Sequence, residues 1–282
     1  MRRIVLSLCS GLLIAYSVGL GAAQFLPADI SRREAMEVFL QTAEIIKSEP
    51  VGEGVTAPWK LTLRKDGLEM KGVWKSIDTE VNGFPDHWHG EIAAYRLDKL
   101  LGLGLVPPVV EREFQGRRGD LSLWADSRYN LLSIMENNIA IPATAEENIE
   151  AMKYLTRAWD CLIANNDRTQ QNVLYTQDWR TILIDHSRAF GADREHVEKL
   201  IYGARGLKTQ DDGAGGRRPI LFRRLPRSFV EKVKGLDLSA LKAVLAPFLT
   251  DREIEGIMAR KKLLLDEIDG MIRENGEDKV LY

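Results

Sequence analysis

The chain has 282 residues, with 39 Lys and Arg against 41 Asp and Glu and a formal net charge of −2. That length suits one large domain or two lobes around a shared cleft, and an apolar fraction of 45% with 28% charged residues excludes collagen, a coiled coil and wholesale disorder. A balance so near neutrality also argues against a dedicated nucleic-acid binder, which would carry a strongly basic face.

Residues 1–23 read as a secretory signal peptide: basic Met1-Arg2-Arg3, an apolar run, then small Gly21-Ala22-Ala23 before Gln24. The expectation is an exported protein, periplasmic or secreted, with no stable membrane association once the segment is cut. An uncleaved anchor is the alternative, because the apolar run approaches the length that spans a bilayer. Cys9 falls inside this segment, so Cys161 stands alone in the mature chain, leaves no intramolecular disulfide to form, and reads as an inert core thiol.

Residues 31–48 show a helical period through Ala35, Val38, Phe39, Thr42, Ile45 and Ile46, so residues 24–50 are expected to form an N-terminal helix. Gly52 and Gly54 follow, one residue apart and ahead of a strand, where bare backbone can approach a phosphate closely. Residues 59–63 and 70–77 read as strands joined by an Asp66-Gly67 hairpin turn, with Lys75 inside the second. A polar loop over 78–87 leads to a helix over 90–101, closed by Gly102. Glu91 in its first turn can complement the helix dipole or pair with Lys75.

Pro107-Pro108 resumes extended structure, 116–119 reads as a turn, and 121–124 as the strand running out toward a connection between lobes. Residues 126–144 are polar and irregular, and Thr144-x-x-Glu147 reads as the capping box of a helix reaching about 164.

The stretch 165–190 carries the chemistry. Asp167 is followed five positions later by Asn172, then by an apolar strand at 173–175, a polar turn at Gln177-Asp178, and a second strand at 181–184 that delivers Asp185. Phosphoryl transfer from a nucleotide needs such a set: one carboxylate to orient the attacking hydroxyl, and an Asn and a second carboxylate to hold metal ions on the phosphates. The glycine-rich stretch 202–219 is expected to be a mobile loop. Helices over 237–245 and 251–274 close the chain, the second entered through a Thr250-x-x-Glu253 box.

The blocks G-E-G-V-T from Gly52, V-W-K ending at Lys75, G-E-I-A-A-Y-R-L-D from Gly90 with the later V-P-P-V-V, N-D-R-T-Q-Q-N from Asn166 and I-D-H-S-R-A-F from Ile184 together resemble atypical protein kinases. The resemblance spans about residues 51–190. It points to the HipA-like, phosphatidylinositol 3-/4-kinase-like and secretory-pathway kinases. It implies an α+β, two-lobed protein-kinase-like fold, with a small β-rich N-lobe over 51–125 and a mostly helical C-lobe over 126–282. It also implies an exported ATP- and metal-dependent phosphotransferase that acts on a hydroxyl of a protein or glycan. On that resemblance Asp167 orients or deprotonates the hydroxyl, Asn172 and Asp185 bind Mg²⁺ or Mn²⁺, Lys75 paired with Glu91 grips the phosphates, and Gly52 and Gly54 cover them. Asn166 before Asp167-Arg168, and His186-Ser187 after Asp185, depart from the standard protein-kinase motifs. The alternatives are an inactive pseudokinase acting as a binding module, and an adenylyl transferase on the same site.

Overall fold

The computed structural model describes residues 26–52, 57–81 and 84–282; the stretch read as a signal peptide and Gly54 lie outside them. The described chain opens with helices α1 (Pro27–Ser31) and α2 (Arg33–Thr42). The helix expected over 31–48 stops early, because Ala43 turns extended and strand β1 (Glu44–Pro50) follows. Ile45 and Ile46, which prolong the helical period, are also β-branched, and pairing with the next strand decides their state. Arg112 secures the break by donating to the carbonyls of Leu40 (3.1 Å) and Ala43 (2.8 Å) at the helix end. The N-terminal segment thus contributes the edge strand of a sheet as well as a helix.

Strands β2 (Trp59–Lys65) and β3 (Leu68–Lys75) form the expected hairpin, with Asp66 and Gly67 both at positive φ (50° and 78°). Where a polar loop was expected, β4 (Asp78–Val81) and β5 (Phe84–His87) pair antiparallel. Helix α3 (Trp88–Leu101) ends at Gly102 in the left-handed conformation that glycine adopts freely. Strands β6 (Val109–Phe114) and β7 (Arg117–Leu123) complete a five-stranded antiparallel sheet ordered β1-β2-β3-β7-β6. One face of the sheet meets α2 over a compact core that includes Leu40, Leu61, Leu63, Trp74 and Leu121.

The second half is mostly helical. Strand β8 (Tyr129–Asn130) and helix α4 (Leu131–Glu136) occupy the stretch expected to be irregular, with the Asn130 side chain accepting from the Ser133 N–H at 2.7 Å. Helix α5 (Ala143–Ile163) starts one residue before Thr144, with Pro142 at the cap position, so the expected Thr144–Glu147 box does not form. The next hairpin, β9 (Val173–Tyr175) with β10 (Thr181–Leu183), joins β8 in a three-stranded sheet. After helix α6 (Arg194–Glu198), the region expected as a mobile loop contains a paired hairpin, β11 (Thr209–Asp211) and β12 (Arg217–Pro219). Its glycines are turn residues: Asp211 and Asp212 accept the N–H groups of Gly213, Ala214 and Gly216 at 2.6–2.8 Å.

Helices α7 (Arg227–Gly235), α8 (Leu238–Leu245), α9 (Asp251–Asn275) and α10 (Glu277–Val280) close the chain. The Thr250–Glu253 box forms as expected. Helix α5 is buried against α9, and Cys161 within it exchanges hydrogen bonds with the Tyr202 backbone (3.2 and 3.3 Å). Burial pushes its thiol far up, which fits the expected inert core residue. No helix among the described residues is long and apolar enough to cross a membrane.

Candidate active site

The candidate residues gather between the sheet and the helices, on strands β3 and β7, helix α3 and the segments flanking the β9–β10 hairpin. Strand β3 ends at Lys75, in register with Asp120 of β7. The β1–β2 connection carrying Gly52 leaves the sheet at this same end, since Pro50 pairs with Trp59 and Trp59 with Trp74. Among the described residues a Cβ at Gly52 would meet nothing within 4 Å, so their packing does not demand glycine there.

Helix α3 brings Glu91 up to the Lys75 side chain. The Nζ lies 2.6 Å from Glu91 Oε1 and 2.7 Å from Asp185 Oδ1. That close approach depends on Gly90, where a Cβ would stand 2.7 Å from the His186 carbonyl oxygen. The other Glu91 oxygen accepts the His186 backbone N–H at 3.0 Å, so the helix is tied to the segment just past Asp185. His186 itself is fully buried against Trp159, and burial together with the Arg168 charge lowers its pKa and keeps the ring neutral.

Charge explains the arrangement around Lys75. Burial alone would lower its pKa, but Asp185, Glu91 and Asp120 reverse that and hold it well above the ordinary lysine range. For Glu91, burial opposes ionisation, while the Lys75 charge outweighs it and pulls the carboxyl well down. Asp120 takes the opposite course. Complete burial and the neighbouring Glu91 charge hold its carboxyl well above the usual carboxylate range, and among the described residues its Oδ1 has no hydrogen-bond partner.

Asn172 sits at the end of a single 3₁₀ turn (Gln170–Asn172), and its Nδ2 lies 3.4 Å from Asp185 Oδ2. Asp185 follows β10 with φ 62°, a left-handed conformation that costs a non-glycine residue about 1–3 kcal/mol. The loop holding Asp167 is fixed from beneath by Arg168. That guanidinium bonds Asp160 on α5 at 3.0 and 3.2 Å, the Ile184 carbonyl at 2.6 Å and the Asn172 carbonyl at 3.3 Å. Arg260 of α9 braces the same region, donating to the carbonyls of Leu162 (2.9 Å) and Gly191 (2.8 Å). The Asn165 side chain accepts the Asp167 N–H at 3.1 Å, and Asp167 is left half exposed with Arg188 Nη1 3.2 Å from its Oδ2.

Of the residues singled out from the sequence, Lys75, Glu91, Asn172 and Asp185 are joined by direct contacts. Asp167 is linked to them through the Arg168 braces. Asp120, Arg168, Arg188 and His186 are additional. Arg168, Arg188 and His186 were visible inside the motif blocks, but only the three-dimensional contacts give them roles.

Among the described residues no three His, Cys, Asp or Glu side chains converge to hold a metal ion. Asn172 and Asp185 lie side by side, the amide nitrogen of one toward the carboxylate of the other; a carboxylate and an amide oxygen are the hard donors that suit Mg²⁺ or Mn²⁺ when a substrate supplies further oxygens. The phosphates of a nucleotide are such a source, so the residues fit a metal shared with a nucleotide.

No protein-family profile matches the chain, and no curated protein sequence matches it either. Solved structures do. A hydra Fam20 solved with sugar is 17% identical with a TM-score of 0.62, covering 93% of this chain and 95% of its own. The Golgi casein kinase with Mn/ADP bound is 16% identical with a TM-score of 0.58, covering 89% and 78%. The Helicobacter pylori proinflammatory kinase CtkA is 11% identical with a TM-score of 0.52, covering 84% and 96%. The chain has the atypical protein-kinase-like fold. In that two-lobed fold the sheet β1-β2-β3-β7-β6 belongs to the small lobe and helices α5 to α10 to the large one. Lys75, Glu91, Asn172 and Asp185 meet where the lobes face each other.

Proposed function

We propose that the protein is an exported ATP- and divalent-metal-dependent kinase that transfers the γ-phosphoryl group to a hydroxyl of a protein or glycan. The observation that carries this reading is the contact set at Lys75, whose ammonium bridges Glu91 at 2.6 Å and Asp185 at 2.7 Å with Asn172 alongside. A lysine so held presents a fixed positive charge to phosphate oxygens, which is most of what phosphoryl transfer asks of a protein. Asp167, half exposed at the cleft, is the group to receive the acceptor hydroxyl. Asn172 and Asp185 would hold Mg²⁺ or Mn²⁺, and the metal would neutralise phosphate charge. Gly52 and the neighbouring Gly54 are the cover over the phosphates. The Mn/ADP bound to the Golgi casein kinase supports the choice of ligands, and its name and that of CtkA support the choice of reaction.

The test is the thermal unfolding of the full chain with ATP and Mg²⁺ or Mn²⁺. A ligand that binds only the folded state raises stability according to its concentration over Kd, about 2.7 kcal/mol at a hundredfold excess. A metal-dependent upward shift that Asp185→Ala abolishes is the expected result. No shift with either metal would replace this reading with a pseudokinase that binds a partner instead. Product mass then separates phosphoryl from adenylyl transfer.

A further inference from the structure

The dipeptide Asp167-Arg168 puts a cation next to the proposed acceptor-binding carboxylate, yet the fold turns Arg168 away. Its side chain is 5% exposed and bonded to Asp160 and to two loop carbonyls. The cation that does face Asp167 arrives from the far side of the β9–β10 hairpin. Arg188 Nη1 lies 3.2 Å from Asp167 Oδ2, and Arg188 Nε lies 3.1 Å from Asp86 Oδ2. Asp86 is buried near the end of β5, directly before α3. A buried carboxylate is costly unless paired, so Asp86 fixes the direction of the guanidinium.

We propose that Arg188 is a catalytic residue that binds the transferring phosphoryl group, and that Asp86 is the residue that positions it. The inference rests on the kinase reading above. A hydroxyl oriented by Asp167 lies about 2.6–3.2 Å from that carboxylate. Attack brings the hydroxyl oxygen to about 3–3.5 Å from the γ-phosphorus. A guanidinium already 3.2 Å from the same carboxylate therefore reaches the γ-phosphate oxygens. In the step, the hydroxyl oxygen forms its bond to the γ-phosphorus as the bond from phosphorus to the β–γ bridging oxygen breaks. The electron pair leaves on ADP, and the hydroxyl proton passes to Asp167 and then to solvent. Charge spreads over the three equatorial oxygens, where a planar N–H pair stabilises it more than in the ground state.

The test uses the full chain and ADP with Mg²⁺, with and without aluminium fluoride, which mimics the planar phosphoryl group. Dissociation constants are measured for the parent, Arg188→Ala, Arg188→Lys and the pair Arg188→Gln with Asp86→Asn. The pair removes both charges but keeps a hydrogen-bonding couple at the buried site, so its behaviour cannot come from an orphaned Asp86; thermal unfolding confirms that it folds. The expected result is ADP affinity within about 3-fold of the parent throughout, with the fluoride complex weakened about 100-fold in Arg188→Ala and in the pair, and less in Arg188→Lys. Arg188 is not the phosphoryl ligand if the fluoride complex holds its affinity in the variants while ADP binds. A parent that binds no ADP overturns the nucleotide reading and this inference together.

Discussion

Lys75 has three carboxylates around it and one positive charge to share. Glu91 and Asp185 accept its hydrogen bonds, whereas Asp120, opposite it across the sheet, accepts none of them. Burial and the Glu91 charge settle the matter by holding Asp120 protonated. The folded state then keeps a proton that the unfolded chain releases near the ordinary carboxylate value. Its contribution to stability is complete below that value and is lost as pH rises through the raised folded value. Asp120→Asn, neutral at every pH, is therefore expected to match the parent near pH 4 and to gain on it with rising pH, by up to about 1.4 kcal/mol per unit. Thermal unfolding across pH 4–9 measures the gap; a parent that gains on the variant instead would mean a paired, ionised Asp120. This residue was not legible in the sequence. It follows Arg117-Arg118-Gly119, which has the composition of a turn, and only the register of β7 on β3 sets it against Lys75. Asp167, Asn172 and Asp185 were legible because a short hairpin fixes their spacing locally.

Helix α3 positions Glu91 by approaching the chain that follows Asp185. Replacing a helix glycine by alanine ordinarily gains up to about 1 kcal/mol. At Gly90 the new methyl group would stand 2.7 Å from the His186 carbonyl, so Gly90→Ala is expected to cost about 1–3 kcal/mol instead. Urea unfolding gives the sign directly, and a gain would show that the two segments can separate without penalty. Elements were legible where a local signal and the tertiary contact agree, as at the Asp66-Gly67 hairpin, the Gly102 cap and the Thr250 cap. They were misread where the two compete. Ile45 and Ile46 fit a helix period and a strand equally, and Thr144 fits a cap motif that Pro142, two residues earlier, pre-empts.

Across the whole molecule, α2 is fastened to α3 by a buried ion pair, Arg33 to Asp98 at 3.0 Å. Asp98 also accepts the N–H groups of Gly104 and Leu105, so one carboxylate ties together the N-terminal helix, α3 and the path to β6. Burial pushes Asp98 up to about 6, against the pull of Arg33 and the amides. Its protonated form therefore favours folding below the ordinary value of 3.8, and that contribution fades as pH climbs through about 6. Removing the partner with Arg33→Ala leaves an unpaired buried anion only where Asp98 is ionised. The expected cost is about 3–5 kcal/mol at pH 8 and clearly less at pH 5, read from denaturant midpoints at the two values. An equal cost at both would mean that Arg33 acts through packing alone.

The same helix α3 shares its apolar side with the large lobe, where Ile92, Ala93, Leu97 and Leu101 lie in one core with Val233, Leu241 and Leu245. Arg96 adds a stacking contact with Phe248 from α3 to the turn after α8. Tilting α3 would open that core, whose close packing resists continuous deformation. Glu91 is in this sense part of the chassis, because the core that holds the helical half together also fixes the carboxylate that meets Lys75.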